Sequence, residues 1–174
     1  MEFNFEHCID ILSRTPDVIG ELLSDIPGEW ADSNEGEGTW SPYENVAHFI
    51  HGEHEDWLPR LKIILEHGDK NPFTPFDPQA FPSFCEGKTL SELLDEFEKL
   101  RLENIEELRK LNLKEEDFQK TGAHPEFGPV SIQQLIATWA VHDLSHIAQI
   151  ARVMAKQFTE ETGPWAAYLP ILTK

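Results

Sequence analysis

At 174 residues the chain has the length of one domain, large enough to bury a core that needs neither disulfides nor a metal as a staple. Its 14 basic and 32 acidic residues give a formal net charge of −18, which repels a phosphate backbone, and no local Lys/Arg cluster offsets it, so nucleic acid is not an expected partner. No apolar run approaches the ~20 residues of a bilayer span, Met1-Glu-Phe-Asn-Phe-Glu6 lacks the basic and apolar regions of a secretory signal, and the chain is expected in the cytoplasm with no membrane contact.

The first helix is predicted from about Phe5 to Ile26, with a kink or break at Thr15-Pro16, where Thr15 can cap a fresh start and Pro16 can occupy its first position. Ile19, Leu22, Leu23 and Ile26 give it a core face, Pro27-Gly28 stops it, and Asp32–Gly38 reads as a solvated loop. Ser41, Pro42 and Glu44 form a capping box that opens the second helix, which should run to about His67 and end at Gly68 with a kink at Pro59. Asn71 to Pro82 carries four prolines among three phenylalanines, the composition of a long crossover loop.

Thr89 and Glu92 cap the third helix, whose Leu90, Leu93, Leu94, Phe97, Leu100, Ile105, Leu108 and Leu111 trace an apolar face opposite a densely acidic, solvated one. Gly122–Pro129 reads as loop. Ser131 then caps the fourth helix, in which Ile132, Leu135, Ile136, Trp139, His142, His146, Ile147, Ile150 and Val153 share a face. Gly163–Leu172 reads as a short packed terminal segment. Four amphipathic helices with one long crossover predict an all-α fold, a four-helix bundle forming a single domain over residues 1–174.

Chemistry concentrates on His142 and His146. Four residues apart on a helix, they stack one turn above the other on the core-facing side, a spacing that gives a transition metal two ligands. Two imidazoles in a core cost stability unless a metal or hydrogen bonds satisfy them. The second helix offers His48, His51 and His54 for a third ligand. Stepping ~100° per residue, the stripe of Val46, Ile50, Trp57, Leu61 and Ile64 lies closest to His54. Cys8 and Cys85 are far apart and outside any C-x-x-C pattern, so neither a disulfide framework nor a thiolate site is indicated. No G-x-S-x-G, P-loop or G-x-G-x-x-G motif occurs.

Thr39-Trp-Ser-Pro-Tyr-Glu-Asn-Val-Ala-His48 and Trp139-x-x-His142-Asp-Leu-Ser-His146-Ile-Ala-Gln149, with Gly128-Pro-Val-Ser131 and Gly163-Pro-Trp-x-x-Tyr-Leu169, make the chain resemble the DinB-like superfamily over nearly its whole length. That superfamily of bacterial four-helix-bundle metalloproteins includes mycothiol-dependent maleylpyruvate isomerase and bacillithiol transferase relatives. The resemblance implies a metal held by His48, His142 and His146, with positions left open for water or substrate, against the helical wheel's preference for His54. Such a ligand set suits a divalent metal: Zn²⁺ or Ni²⁺ first, with Fe²⁺ also accepted.

The implied function is a metal-dependent enzyme acting on a small molecule, either a hydrolase or a transferase or isomerase that uses a low-molecular-weight thiol. The alternative is a non-catalytic metal- or ligand-binding homodimer. Glu53, about one and a half turns beyond His48, is the nearest candidate general base, with a solvated or hydrogen-bonding role as its plainer reading. Asp143 and Gln149 could orient the imidazoles, although Asp143 points about a third of a turn from His142. Trp40, Trp139, Phe127 and the aromatic crossover loop could wall a pocket or simply pack.

Overall fold

The computed structural model describes residues 2–173, so Met1 and Lys174 of the expected domain lie outside it. Its helices are α1 (Phe5–Leu23), α2 (Gly28–Ala31), α3 (Pro42–Glu55), α4 (Trp57–His67), α5 (Pro82–Cys85), α6 (Leu90–Lys110) and α7 (Ile132–Lys156), with strands β1 (Thr121–His124) and β2 (Gly128–Ser131) before α7. The bundle is built from α1, the α3–α4 pair, α6 and α7. Both α1 and the α3–α4 pair pack against α6 and α7, which places them diagonally. No described helix is long and apolar enough to cross a membrane.

The helix starts follow the capping chemistry. Ser41, Thr89 and Ser131 each accept from the backbone N–H three residues on, and Glu44, Glu92 and Gln134 reach back to the cap backbone. The second helix is interrupted, but at Asp56 rather than Pro59: Asp56 separates α3 from α4, and Pro59 sits in the first turn of α4, where a missing N–H costs nothing.

No break occurs at Thr15-Pro16. The α1 helix runs through Pro16, and Thr15 Oγ1 donates to the Ile11 carbonyl at 3.1 Å. A proline at 16 removes the N–H that would reach the Leu12 carbonyl, and Arg101 Nη1 donates to that carbonyl instead at 3.0 Å.

The segment expected as loop at Gly122–Pro129 contains an antiparallel hairpin, with Thr121 opposite Ser131 and His124 opposite Gly128. Phe73 of the crossover loop joins it by donating to Ala123 O at 3.0 Å. Gly122 is required there, because a Cβ would lie 2.7 Å from Ile64 Cγ1 and 2.9 Å from Phe73 Cε1.

The interior has two apolar clusters with a polar waist. Leu12, Trp57, Ile105 and Ala140 belong to one cluster; Ile19, Ile50, Phe97 and Ile150 belong to the other. Between them in sequence, every bundle helix places a buried polar residue: Thr15, Glu53, Arg101 and Asp143, with His51 and Asp56 also buried beside Glu53. The second cluster and the waist carry the site.

Candidate metal centre

His142 and His146 stand one turn apart on α7 with ring centroids 4.3 Å apart, and His48 meets them from α3 at 5.1 and 4.8 Å. His48 Nε2 and His142 Nε2 are 3.0 Å apart. One nitrogen from each of the three rings falls within 4.8 Å of the other two, the one such group of three potential ligands among the described residues.

The crossover aromatics hold the rival histidines elsewhere. His51 is buried but sandwiched between Phe76 at 4.2 Å and Phe84 at 4.8 Å, with Nε2 3.3 Å from Glu55 Oε2. His54 is exposed and lies over Phe84. The wheel misleads because α3 has no single inner face: every residue from Asn45 to Glu53 is buried, walled by α6, α7 and α5.

Burial pushes the His48 imidazole down to about 3 and the His146 imidazole to about 4, with the neighbouring histidines adding to the desolvation. Both are neutral at ordinary pH, with lone pairs free to coordinate. Asn45 fixes which nitrogen does so. Fully buried one turn before His48, its Oδ1 lies 2.7 Å from His146 Nδ1, while its amide donates to Ser41 O. The Nδ1 proton of His146 is thereby held, and Nε2 faces the cluster as an acceptor. Gln149 is half-buried on the same helix, but Asn45 makes this bond. Sequence reasoning missed Asn45, although a buried amide three residues before a candidate ligand was a usable signal.

Glu53 lies in the waist. Its Oε1 accepts from Arg101 Nε and Nη2 and from Trp139 Nε1, and its Oε2 accepts from Asn104 Nδ2. The carboxylate proposed as a base is engaged on both oxygens and fully buried, which favours its plainer, hydrogen-bonding reading. Asp143 serves Arg101 as well, accepting from Nη1 and Nη2; its Oδ1 is 3.9 Å from His142 Nδ1, beyond hydrogen-bonding distance. Burial would raise the Asp143 carboxyl, and Arg101 overrides it and holds the group below its usual value.

Of the expected pocket walls, Trp40 belongs to the site, 4.6 Å from His48 and nearly parallel to His146 at 5.8 Å. Trp139 is core and stacks on Trp57, whose ring lies T-shaped to His142 with centroids 5.0 Å apart. Phe127 is exposed on the hairpin. His142 is half-buried, and beside it Ala137, Thr138, Val141 and Ser145 form a shallow, open depression on the outer face of α7.

Comparison with known proteins agrees with this architecture. Residues 11–150 match the family model described as the DinB superfamily. A protein of Oceanobacillus iheyensis named "Putative metal-dependent hydrolase OB0782" is 25% identical over 151 residues, covering 86% of this chain and 85% of that one. The solved structure described as "YfiT from Bacillus subtilis is a probable metal-dependent hydrolase with an unusual four-helix bundle topology" superposes with a TM-score of 0.74 at 19% identity, covering 88% of this chain and 87% of that one. The four-helix bundle protein TT2238 gives a TM-score of 0.50 at 17% identity, covering 83% and 95%. With the match running through all four bundle helices, the chain belongs to the DinB superfamily.

Proposed function

We propose that this protein is a metal-dependent enzyme, a hydrolase of a small molecule, in which His48, His142 and His146 hold a divalent ion. The observation that carries the reading is the convergence of three imidazoles from two helices, His48 buried and His142 and His146 half-buried. The donor set fits. Imidazole nitrogen binds Zn²⁺ at about 2.0–2.1 Å, so two such ligands stand roughly 3 Å apart, near the 3.0 Å between His48 and His142. Zn²⁺ or Ni²⁺ suits three imidazole nitrogens best, and Fe²⁺ is acceptable. The names carried by the Oceanobacillus and Bacillus relatives support the same reaction class.

A divalent ion there supplies Lewis acidity, polarising a substrate oxygen and activating water near neutral pH. The residues of the chain do the rest. Asn45 orients His146 and Trp40 shields the two ligand rings it touches, while His142, its side chain 20% exposed, leaves the centre reachable from the α7 surface. Glu53 is a positioning residue in this scheme, because Arg101 and Asn104 occupy the oxygens a base would need. The proposal includes a cytoplasmic location and a homodimer; the dimer is supported by Leu144, which α7 leaves 48% exposed.

Elemental analysis of the purified protein should find about one Zn, Ni or Fe per chain, and His146→Ala should lose most of it. A metal-free protein that cannot be reloaded, or turnover untouched by His146→Ala, overturns the proposal. Ester and amide substrates assayed with and without bacillithiol, mycothiol or glutathione separate hydrolysis from thiol transfer. A strict thiol requirement would replace the hydrolase with a transferase or isomerase on the same ligands.

A further inference from the structure

Beside the metal centre, where α4 begins, two hollows of about 190 and 360 Å³ meet between the crossover loop and the hairpin tip. They share Asp56, Arg60, His124 and Phe127. Trp57 and Phe73 wall the smaller, and Phe76 walls the larger. Phe127 is 74% exposed, its ring stacked on His124 at 4.4 Å and 13°. Such an aromatic face open to water at a cleft mouth is suited to a flat apolar partner.

The polar floor is unfinished. Asp56 and Arg60 have side chains only 10% exposed; Asp56 Oδ1 is enclosed 2.7 Å from Arg60 Nη1, and no hydrogen bond reaches the other carboxylate oxygen, Oδ2. Burial pushes the Asp56 carboxyl up and the Arg60 guanidinium down, and their mutual attraction does not offset it. His124 Nδ1 accepts from the N–H groups of Glu126 and Phe127 at 3.2 and 3.3 Å, which puts the neutral ring's proton on Nε2 as a donor. Between aromatic walls the cleft therefore presents one unfilled acceptor and at least one donor around an ion pair of zero net charge. A charged head would leave an uncompensated charge in this half-buried place, whereas a neutral dipolar head would not.

We propose that this cleft binds an aromatic ring carrying a carboxamide, and that it holds the non-reacting part of the substrate. The carboxamide N–H donates to Asp56 Oδ2, its oxygen accepts from Arg60 or His124, and the ring lies against Phe127. Thr138 lines both this cleft and the depression beside His142, and the Trp57 ring lies 5.0 Å from that of His142, so a ligand seated here extends along α7 toward His142. Only this second half, the link to substrate, rests on the metal reading.

Phenylacetamide, phenylacetate and 2-phenylethylammonium, titrated separately into the full chain and followed by NMR, test the assignment. Phenylacetamide should bind saturably and more tightly than either charged probe. Phe127→Ala, which removes a ring that the core does not use, should weaken it roughly three- to tenfold while the circular dichroism spectrum stays unchanged. His146→Ala should leave its affinity as it was. Absence of saturable binding, preference for a charged probe, or unchanged affinity in Phe127→Ala overturns the cleft assignment alone. Failed metal uptake with intact phenylacetamide binding overturns the metal reading and leaves the cleft standing.

Discussion

Arg101 is fully buried, and its guanidinium donates to three other bundle helices: to Leu12 O on α1, Glu53 on α3 and Asp143 on α7. It also lies over the Phe97 and Trp139 rings at 4.9 and 5.2 Å. Burial alone would lower its pKa, and the two carboxylates outweigh that and hold it charged. Removing the cation strands two buried anions, so Arg101→Leu should cost about 3–5 kcal/mol in urea unfolding. Replacing Glu53, Arg101 and Asp143 together by apolar residues of similar volume should cost much less. Equal losses in the two variants would contradict this account. Arg101 was readable in principle: it falls on the i, i+4 register of Leu93, Phe97 and Ile105, where a charge on a core stripe signals a buried partner. Among so many charged neighbours on α6 it is easily taken for surface.

At the scale of elements, the sequence revealed what side-chain capping and period reveal. The starts of α3, α6 and α7 were legible because each cap is a local bond between residues three apart. The course of α1 through Pro16 was not, since the group that satisfies the freed carbonyl comes from Arg101, 89 residues away from Leu12. His48 was legible by resemblance and not by period, because a helix buried on all sides has no stripe to follow. The hairpin escaped because Gly122, Gly128 and Pro129 erase the alternation that marks a strand. What replaces that signal is close packing at Gly122. Gly122→Ala should therefore destabilise the protein by about 1–3 kcal/mol, measured by thermal or urea unfolding, although the position is neither catalytic nor in a helix. A neutral outcome would mean that Ile64 and Phe73 can move aside.

For the whole molecule, the buried histidines set the acid response of the metal-free form. His48 and His146 titrate near 3 and 4 when folded, against 6.5 when free, so below pH 6.5 the unfolded chain takes up protons that the folded one refuses. Stability therefore falls as pH drops from about 6.5 toward 4. Glu35 adds a later loss: Arg152 holds its carboxylate down to about 2, so its contribution is present above the free value of 4.5 and disappears as pH falls toward 2. The urea midpoint of metal-stripped protein should decline through the first window. A flat profile would show that the imidazoles are not desolvated. The waist has a further consequence for what the molecule attracts. Glu53 and Asp143 face one guanidinium, which leaves an excess of one negative charge sealed in the interior beside His142. For the protein alone this surplus is a liability in solvation energy; for a dication arriving at the three rings it is a counter-ion already in place, so selectivity for positive over negative guests begins outside the coordinating atoms.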